Sequence, residues 1–462
     1  MGGLRTIAAD AWPCTASGME RRSCFIAVFD RLVRRRARRG LLLRVVQVVR
    51  EKWSEHWSER AHFAPLDGVR GIAILMVMVF HFFLGMPTAS GFQQVVAAVT
   101  SAGWAGVDLF FVLSGFLITG ILIDTKNHSS YYKSFYARRA LRIFPAYYTF
   151  IILIGFVIGP LLVWNYQRTN PGVPSEPAQN LALFRNYQAY YWLYLTNVLI
   201  AIKGFAPTVL WMTPFWSLAV EEQFYLVWPF IVRRLNPSRL LSLAIGAIVL
   251  ASVIRVLIYA TGIFADPPVA AAMLTPSRMD PLAAGAVVAI MMRRKKGAEL
   301  ISRHARRLLA ASIAALGVIV VVKGGLPEMD AGVQPFVFPL NALAGAALIG
   351  LSVTQAASVG ANRILSSRLL REFGVYSYGL YIVHTPVFWF TERVRDAVFS
   401  GPPESRTFLS LIVWFLIATL LAFVVAWTMW HLLERHFLGL KRRFPSGGDL
   451  SDKVSFAGVP AG

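Results

Sequence analysis

Charged residues are scarce in this sequence, and acidic ones are scarcer than basic ones. Asp, Glu, Lys and Arg make up 15% of the 462 residues, whereas soluble proteins carry about 25%. This shortage excludes an ordinary soluble domain, which needs more charge on its surface. The net charge of +22 alone would favour a nucleic-acid partner. Repeated apolar runs of about 20 residues, long enough to cross a bilayer, exclude that partner and indicate a membrane protein.

Cysteine is nearly absent, which limits disulfide and metal chemistry. Cys14 and Cys24 both lie near the N-terminus and cannot form a disulfide framework for the rest of the chain. His81 has no second histidine three or four residues away, so we predict no metal site there. The N-terminal apolar stretches are interrupted by Asp10, Glu20 and paired arginines, which excludes a cleavable signal peptide.

Both ends of the chain are predicted to be basic and cytoplasmic. Residues 1–63 are rich in arginine, and their stretch 41–50 has an apolar face that is too short to span a bilayer. Two interpretations stay open for this segment, a helix lying on the anionic inner leaflet and a disordered basic extension. A membrane domain is predicted over 64–440, followed by a short cytoplasmic tail over 441–462.

The apolar runs predict an all-α fold, a polytopic membrane helix bundle of about ten transmembrane helices. A further stretch at 189–203 is aromatic, short and amphipathic, and it can either span or lie at the interface. An eleventh span there would move the basic segments that follow it to the outer side, against the positive-inside rule. Ten spans place both termini in the cytoplasm of a multi-pass protein of the cell membrane. The predicted spans are 69–87, 104–123, 142–164, 214–232, 240–262, 279–292, 308–323, 336–356, 374–391 and 407–433.

The first span carries three ionisable residues. Asp67 and Arg70 open it, and His81 follows eleven residues after Arg70. Eleven steps of about 100° give three turns and about 20°, so Arg70 and His81 share a face about 16 Å apart. Ionisable residues inside a membrane are costly and are therefore candidates for function. His81 is predicted either to act as a base or to hydrogen-bond a neighbouring helix.

Later spans contain further polar residues that are expected inside the bundle. Glu221 and Glu222 are adjacent and precede Tyr225 by one turn, so pairing with Arg or His is expected there. Asp108 is expected near the outer end of its span, within reach of water, and Ser114 and Gly115 are small enough to let another helix approach. Because few of these residues have a partner within their own helix, we predict that they converge. The other members of this set are Arg278, Asp280 and His384.

An arginine cluster precedes the third span. Arg139 and Arg142 are three residues apart and share a helix face, and Arg138 lies beside them. Guanidinium groups at this spacing suit a phosphate-bearing ligand that arrives from the cytosol. The alternative is an ordinary positive flank of a membrane span.

Taken together, these segments resemble the membrane acyltransferase-3 family, whose members O-acylate carbohydrates and related hydroxyl compounds. The resemblance covers about 64–440 and depends on six motifs in the family's order. They are Arg70 with His81, Gly106-Val-Asp-Leu-Phe-Phe-Val-Leu-Ser-Gly-Phe-Leu-Ile118, Arg139-x-x-Arg142, Trp216-Ser-Leu-Ala-Val-Glu-Glu-Gln-Phe-Tyr225, Arg278-x-Asp280 and Ser377-Tyr-Gly-Leu-Tyr-Ile-Val-His384.

The resemblance implies acyl-CoA, most often acetyl-CoA, as the donor and a carbohydrate, glycolipid or other hydroxyl compound as the acceptor. The arginine cluster would hold the CoA phosphates, and a neutral His81 would take the proton of the attacking hydroxyl. Arg70 would orient the donor, while Glu221 or Glu222 would set the protonation of nearby cations. Asp67, Asp108, Ser114, Tyr225, Arg278, Asp280 and His384 are expected to support these residues. No fused SGNH-type domain is expected after residue 440.

Two other functions stay open at this level. A transporter or flippase for a glycan or a lipid-linked precursor would also contain many spans with buried charges, although no internal repeat typical of transporters is found. A regulatory membrane protein that binds lipids through its basic N-terminal segment is the third possibility. We predict an integral-membrane O-acyltransferase in contact with the lipid bilayer, and the sequence leaves its oligomeric state undetermined.

Overall fold

The computed structural model describes residues 64–84, 91–356, 359–398 and 408–444. The predictions for the N-terminal segment 1–63 lie outside the described residues, as does the tail beyond residue 444. The described ranges contain α-helices joined by short turns and no β-strand, which confirms the all-α prediction.

The α-helices of these ranges are numbered here in chain order. They are α1 Ala64–Phe83, α2 Gly91–Ser101, α3 Ala105–Asp124, α4 Tyr131–Ile152, α5 Gly159–Thr169, α6 Glu176–Trp192, α7 Thr196–Lys203, α8 Phe215–Arg234, α9 Pro237–Thr261, α10 Pro267–Met273, α11 Met279–Met292, α12 Lys295–Lys323, α13 Gln334–Thr354, α14 Ala361–Leu365, α15 Arg368–Val375, α16 Ser377–Val398, α17 Phe408–Met429 and α18 Arg435–Gly439. A π-helical turn, Leu153–Ile158, joins α4 to α5, and a second, Trp430–Glu434, joins α17 to α18.

Seven helical segments of the described ranges are long and apolar enough to cross a membrane, which makes this a multi-pass membrane protein. Three more predicted spans coincide with α8, α11 and α16. Polar residues interrupt the apolar stretches of α8, with Glu221 and Glu222, and of α16, with His384. Helix α11 has 14 residues, or about 21 Å of helix. The count of ten spans and the cytoplasmic termini stay predictions. The seven segments are Ala64–Phe83, Gly91–Asp124, Tyr131–Thr169, Pro237–Thr261, Lys296–Lys323, Gln334–Thr354 and Phe408–Arg443.

The ambiguous stretch 189–203 is not one continuous helix. Helix α6 ends at Trp192, and α7 begins at Thr196 and has 8 residues, so α7 rises only about 12 Å. Tyr194 lies between them with a φ of 53°, in the left-handed region that interrupts a helix. Its ring stacks on Tyr147 at a centroid distance of 4.2 Å. This segment therefore lacks the length of an eleventh span.

Helix α3 lies at the centre of the bundle and packs closely on α11. A Cβ atom added to Gly115 would lie 1.9 Å from the carbonyl oxygen of Leu282, and one added to Gly285 would lie 1.9 Å from that of Val112. Only residues without a side chain permit this approach of two backbones. The close helix packing predicted at Ser114 and Gly115 is therefore found, with Gly115 at the contact.

The third span differs from its predicted bounds. Helix α4 begins at Tyr131, eleven residues before the predicted start at 142, because Tyr131 and Phe135 are buried and contribute to the core. Arg139 and Arg142 consequently lie two to three turns after the start of the helix. The buried aromatic turn extends the helix ahead of the arginines, and their place at the cytoplasmic mouth of the span stays a prediction.

Candidate active site

A cavity with about 830 Å³ of empty space lies inside the bundle. Its walls come from α1, α3, α4, α8 and α16, and it brings together residues that are far apart in the sequence. The predicted site residues on its wall are Arg70, Ser114, Arg139, Arg142, Glu221, Glu222 and Tyr225. The predicted convergence is therefore observed for these residues. Ser217, Tyr378 and Tyr381 also line the cavity and were not predicted.

A second cavity, with about 930 Å³ of empty space, adjoins the first. The two share Arg70, Arg139 and Arg142 in their walls. The second also contains Arg138, as predicted, and Lys441, which the sequence reasoning missed. Lys441 follows α18, about 300 positions after the arginine cluster, so only the folded chain shows that the two are neighbours. Five basic side chains thus line the two cavities, against two carboxylates.

Hydrogen bonds and ring contacts fix the polar side chains around these cavities. The Ser114 Oγ and Tyr225 OH atoms are 2.5 Å apart, and the guanidinium carbon of Arg139 lies 5.4 Å from the centre of the Tyr225 ring. This contact is a cation–π interaction that stabilises a buried arginine. Arg138 donates through Nη1 to the carbonyl oxygen of Phe444 at 3.2 Å. The end of the described chain is thereby attached to the arginine cluster.

Arg70 is oriented by a residue of its own helix. Its Nη1 donates to Asp67 Oδ1 at 2.7 Å, across one helical turn. The Asp67 side chain is 15% exposed and that of Arg70 25%, so the ion pair is sheltered but accessible from the cavities. Asp67 thereby directs the guanidinium toward the space that Arg139 and Arg142 also line.

His81 lies outside these two cavities, near the other end of α1, and contacts a second histidine. Its Nδ1 is 3.2 Å from Nε2 of His384 on α16, and the two ring centres are 4.9 Å apart. The sequence predicted both residues as buried polar groups but did not predict that they meet. Their contact joins positions 303 residues apart, so no local pattern could have shown it.

Tyr381 connects the first cavity to this histidine pair. It lines the cavity, and its carbonyl oxygen lies 2.9 Å from Nδ1 of His384. Its hydroxyl is 2.5 Å from Ser217 Oγ and donates to the carbonyl oxygen of Pro214 at 2.9 Å. The end wall of the cavity is therefore one helical turn from the histidines.

The remaining predicted residues form a buried ionic cluster apart from the cavities. Asp108 pairs with Arg278 at 2.7 Å, and Arg255 pairs with Asp280 at 3.1 Å. Asn341 Nδ2 also donates to Asp108 Oδ2 at 3.0 Å. The expectation that water reaches Asp108 was wrong, because the residue is 1% exposed and is held by Arg278. The sequence reasoning missed Arg255, which lies inside an otherwise apolar helix.

The aromatic surroundings complete this cluster. The guanidinium carbon of Arg278 lies 4.1 Å from the centre of the Phe338 ring and 5.5 Å from that of Trp216. Paired and covered in this way, the four charges are compatible with burial. Within the described ranges, no group of three or more His, Cys, Asp or Glu residues is arranged to hold a metal ion.

Comparison with known proteins identifies two relatives. The chain is 29% identical over 373 residues to the peptidoglycan O-acetyltransferase OatA of Listeria monocytogenes. The aligned residues cover 78% of this chain and 54% of that protein. It is 25% identical over 343 residues to the O-acetyltransferase OatA of Staphylococcus aureus, covering 70% of this chain and 50% of that protein. The chain thus spans about half the length of these relatives.

The membrane bundle as a whole corresponds to a known family. No solved structure matches this chain. Residues 63–431 match the family described as the acyltransferase domain, and this range contains the two histidines, the buried ionic cluster and all the predicted cavity arginines. The chain belongs to the acyltransferase-3 family.

Proposed function

We propose that this protein is an integral-membrane O-acetyltransferase that moves an acetyl group from acetyl-CoA to a hydroxyl group of a cell-surface carbohydrate. The observation that carries the proposal is the pair of adjoining cavities lined by Arg70, Arg139 and Arg142 inside a membrane bundle. Two relatives are named as O-acetyltransferases, one of them of peptidoglycan. These names support acetyl as the group transferred and a peptidoglycan-like glycan as the acceptor.

The basic cavities suit the donor. Coenzyme A carries several phosphate groups, and guanidinium groups bind phosphate through paired, charge-assisted hydrogen bonds. The Arg138, Arg139, Arg142 and Lys441 side chains lie together around the second cavity. Without an anion they repel one another, so a polyanionic ligand lowers the energy of the site.

The acidic residues of the first cavity limit this positive charge. Glu221 and Glu222 line the same wall region as Tyr225 on α8, and the Arg139 guanidinium lies over the Tyr225 ring. Among the described residues, those in the wall of the second cavity include no carboxyl group, so we place the phosphate groups there, beyond Arg139. The uncharged pantetheine arm then extends through the first cavity toward Ser217 and Tyr381.

His81 is the proposed general base. In the transfer, the acceptor oxygen forms a bond with the acetyl carbon, the carbon–sulfur bond breaks, and the hydroxyl proton passes to His81. The thiolate that leaves takes up that proton as the free thiol. Arg70 lies on the same helix about 16 Å from His81, so the pantetheine arm has to bridge this distance past Tyr381.

The test is transfer of radiolabelled acetyl from acetyl-CoA to surface glycans in membranes that contain the protein. His81→Ala, at matched expression, is expected to lower transfer by about 100-fold or more, since a positioned base contributes about 10²–10⁴. Thr100→Ala serves as a control on another helix near the same end of the bundle. Undiminished transfer by His81→Ala would refute the role of His81.

Mass spectrometry of the same glycans separates the proposal from the transport alternative. An acetyltransferase deletion leaves the glycan in place without its acetyl groups. A flippase deletion removes the glycan itself, and that result would contradict the proposed reaction as a whole.

A further inference from the structure

The contact between His81 and His384 carries an inference that rests on the proposed function and deepens it. We propose that His384 is a positioning residue, which holds the proton of His81 on Nδ1 and so leaves Nε2 of His81 free to act as the base. A histidine can accept a proton only at the ring nitrogen that does not already carry one. The hydrogen-bond partners of the two rings decide which nitrogen that is.

The protonated nitrogen of His384 follows from its backbone contacts. Its Nδ1 lies 2.9 Å from the carbonyl oxygen of Tyr381 and 3.1 Å from that of Leu380. A carbonyl oxygen accepts hydrogen bonds and cannot donate them, so Nδ1 of His384 carries the hydrogen. In the neutral ring, Nε2 is then an acceptor. The ring is 0% exposed, which disfavours a second proton and the charge that it brings.

The protonated nitrogen of His81 follows in turn. Its Nδ1 lies 3.0 Å from the carbonyl oxygen of Val77 and 3.2 Å from Nε2 of His384. Both neighbours are acceptors, so Nδ1 of His81 has to be the donor. In the neutral imidazole the lone pair that can take a proton is therefore on Nε2. His81 is only partly buried, so its side chain keeps some exposed surface, and the proposal requires that an acceptor hydroxyl reaches Nε2 there.

The arrangement has a consequence for each step of the transfer. When Nε2 of His81 takes the hydroxyl proton, the ring becomes a cation whose Nδ1–H still donates to His384. The neutral acceptor on His384 therefore stabilises the protonated base without becoming protonated itself. When Nε2 returns the proton to the leaving thiolate, the same hydrogen bond restores the starting tautomer. No net proton is gained or lost by the histidine pair.

Two substitutions at position 384 test whether the hydrogen-bond acceptor at the place of Nε2 matters by itself, apart from the rest of the imidazole ring. The side-chain amide of His384→Gln reaches the place of Nε2, so its oxygen can accept from His81. The amide of His384→Asn reaches the place of Nδ1, so it satisfies the Leu380 and Tyr381 carbonyls but removes the acceptor on His384. Nδ1 of His81 then keeps only the Val77 carbonyl oxygen. We expect kcat to fall by about 100-fold in His384→Asn. In His384→Gln the loss of kcat should be no more than about tenfold. KM for acetyl-CoA should change by less than about twofold in both, because the donor phosphates bind elsewhere.

The controls make each outcome decisive. His431→Gln is the matched control, because Nδ1 of His431 also contacts a backbone carbonyl, that of Trp427 at 2.8 Å. This variant should retain the wild-type kcat. Binding of acetyl-CoA to each purified variant shows that the variant is folded. If His384→Asn is as active as His384→Gln, or if both keep the wild-type kcat, the positioning role is refuted. If His384→Asn does not bind acetyl-CoA, it is replaced by His384→Met, which offers no strong acceptor and should behave like His384→Asn.

Failure of this inference differs from failure of the proposed function. If membranes with the wild-type protein transfer no acetyl from acetyl-CoA, the proposed function fails whatever the variants of His384 do. If His81→Ala retains full transfer, the acetyltransferase stands, but His81 is not the base and the role of His384 is lost with it. If His81→Ala is inactive while His384→Asn and His384→Gln are equally active, the base stands and only the role of His384 is lost.

Discussion

The arginines of the cavities have different partners, and these partners leave part of each guanidinium available. Arg70 is held by Asp67, Arg139 lies over the Tyr225 ring, and Arg138 donates to the carbonyl oxygen of Phe444. A guanidinium has five N–H donors, and the hydrogen bonds described for Arg70 and Arg138 each use one of them. Donors therefore remain for the oxygen atoms of a phosphate group.

Arg142 lines both cavities, and its removal should weaken donor binding. For Arg142→Ala we expect KM for acetyl-CoA to rise by about tenfold or more, since a hydrogen bond to a charged group contributes about 1.5–3 kcal/mol. Arg142→Lys should recover only part of this loss, because an ammonium group cannot bind phosphate through two parallel hydrogen bonds. Steady-state kinetics with varied acetyl-CoA measure both effects.

Arg306 provides a matched control for that measurement. It is an exposed arginine on α12, outside the walls of the two cavities. Arg306→Ala should leave KM unchanged. An equal rise of KM in Arg306→Ala and Arg142→Ala would mean that general surface charge, and not the cavity, attracts the donor.

At the scale of the element, helix α3 contributes to three parts of the structure: the buried ionic cluster, the cavity and the contact with α11. Asp108 enters the buried ionic cluster near its start, Ser114 contacts Tyr225 at the cavity, and Gly115 packs against α11. Because these positions lie within two turns of one another, a displacement of α3 changes all three at once. The contact between α3 and α11 therefore fixes the geometry of the site as well as the stability of the bundle.

Gly285→Ala tests this contact. The added Cβ atom would lie 1.9 Å from a backbone oxygen of α3, so the two helices have to separate, and we expect a lower thermal unfolding temperature together with lower acetyl transfer. Gly246→Ala on α9 is the matched control, since nothing lies within 4 Å of its Cβ. It should be neutral or stabilising by up to about 1 kcal/mol, as for Gly to Ala in a helix. Equal behaviour of the two variants would contradict the close packing.

The sequence predicted the residues of the site better than their contacts. Arg139 and Arg142 are visible as a pair because they share one helix face, and Glu221 is conspicuous because a carboxylate inside an apolar span is costly. The contact between His81 and His384 and the position of Lys441 are different, because they depend on how distant helices pack. The start of α4 was missed because Tyr131 and Phe135 belong to a turn that is amphipathic rather than apolar.

At the scale of the whole molecule, stability should depend on pH through Glu328. This residue lies in the loop between α12 and α13, and burial raises the pKa of its carboxyl to about 7, although nearby Arg278 acts in the opposite direction. Between the ordinary carboxyl pKa and about pH 7, the folded protein keeps a proton that the unfolded chain has released. Stability should therefore fall as the pH rises through this window and level off above it.

Glu328→Gln removes the titrating group and should flatten this dependence. We expect the variant to unfold at a higher temperature than the wild type at about pH 8 and to lose that advantage toward about pH 5. Thermal unfolding of the purified protein in detergent, followed across this range, measures the difference. A constant difference between the two proteins at every pH would show that Glu328 does not titrate in the window.

The position of Arg142 has a consequence for how a charged substrate would meet the protein. Arg142 lies eleven residues after Tyr131, about 16 Å along the axis of α4, and it lines both cavities. In the proposed reaction, a phosphate group bound there would contact protein side chains rather than lipid. The charged end of the donor would therefore not have to enter the hydrocarbon layer.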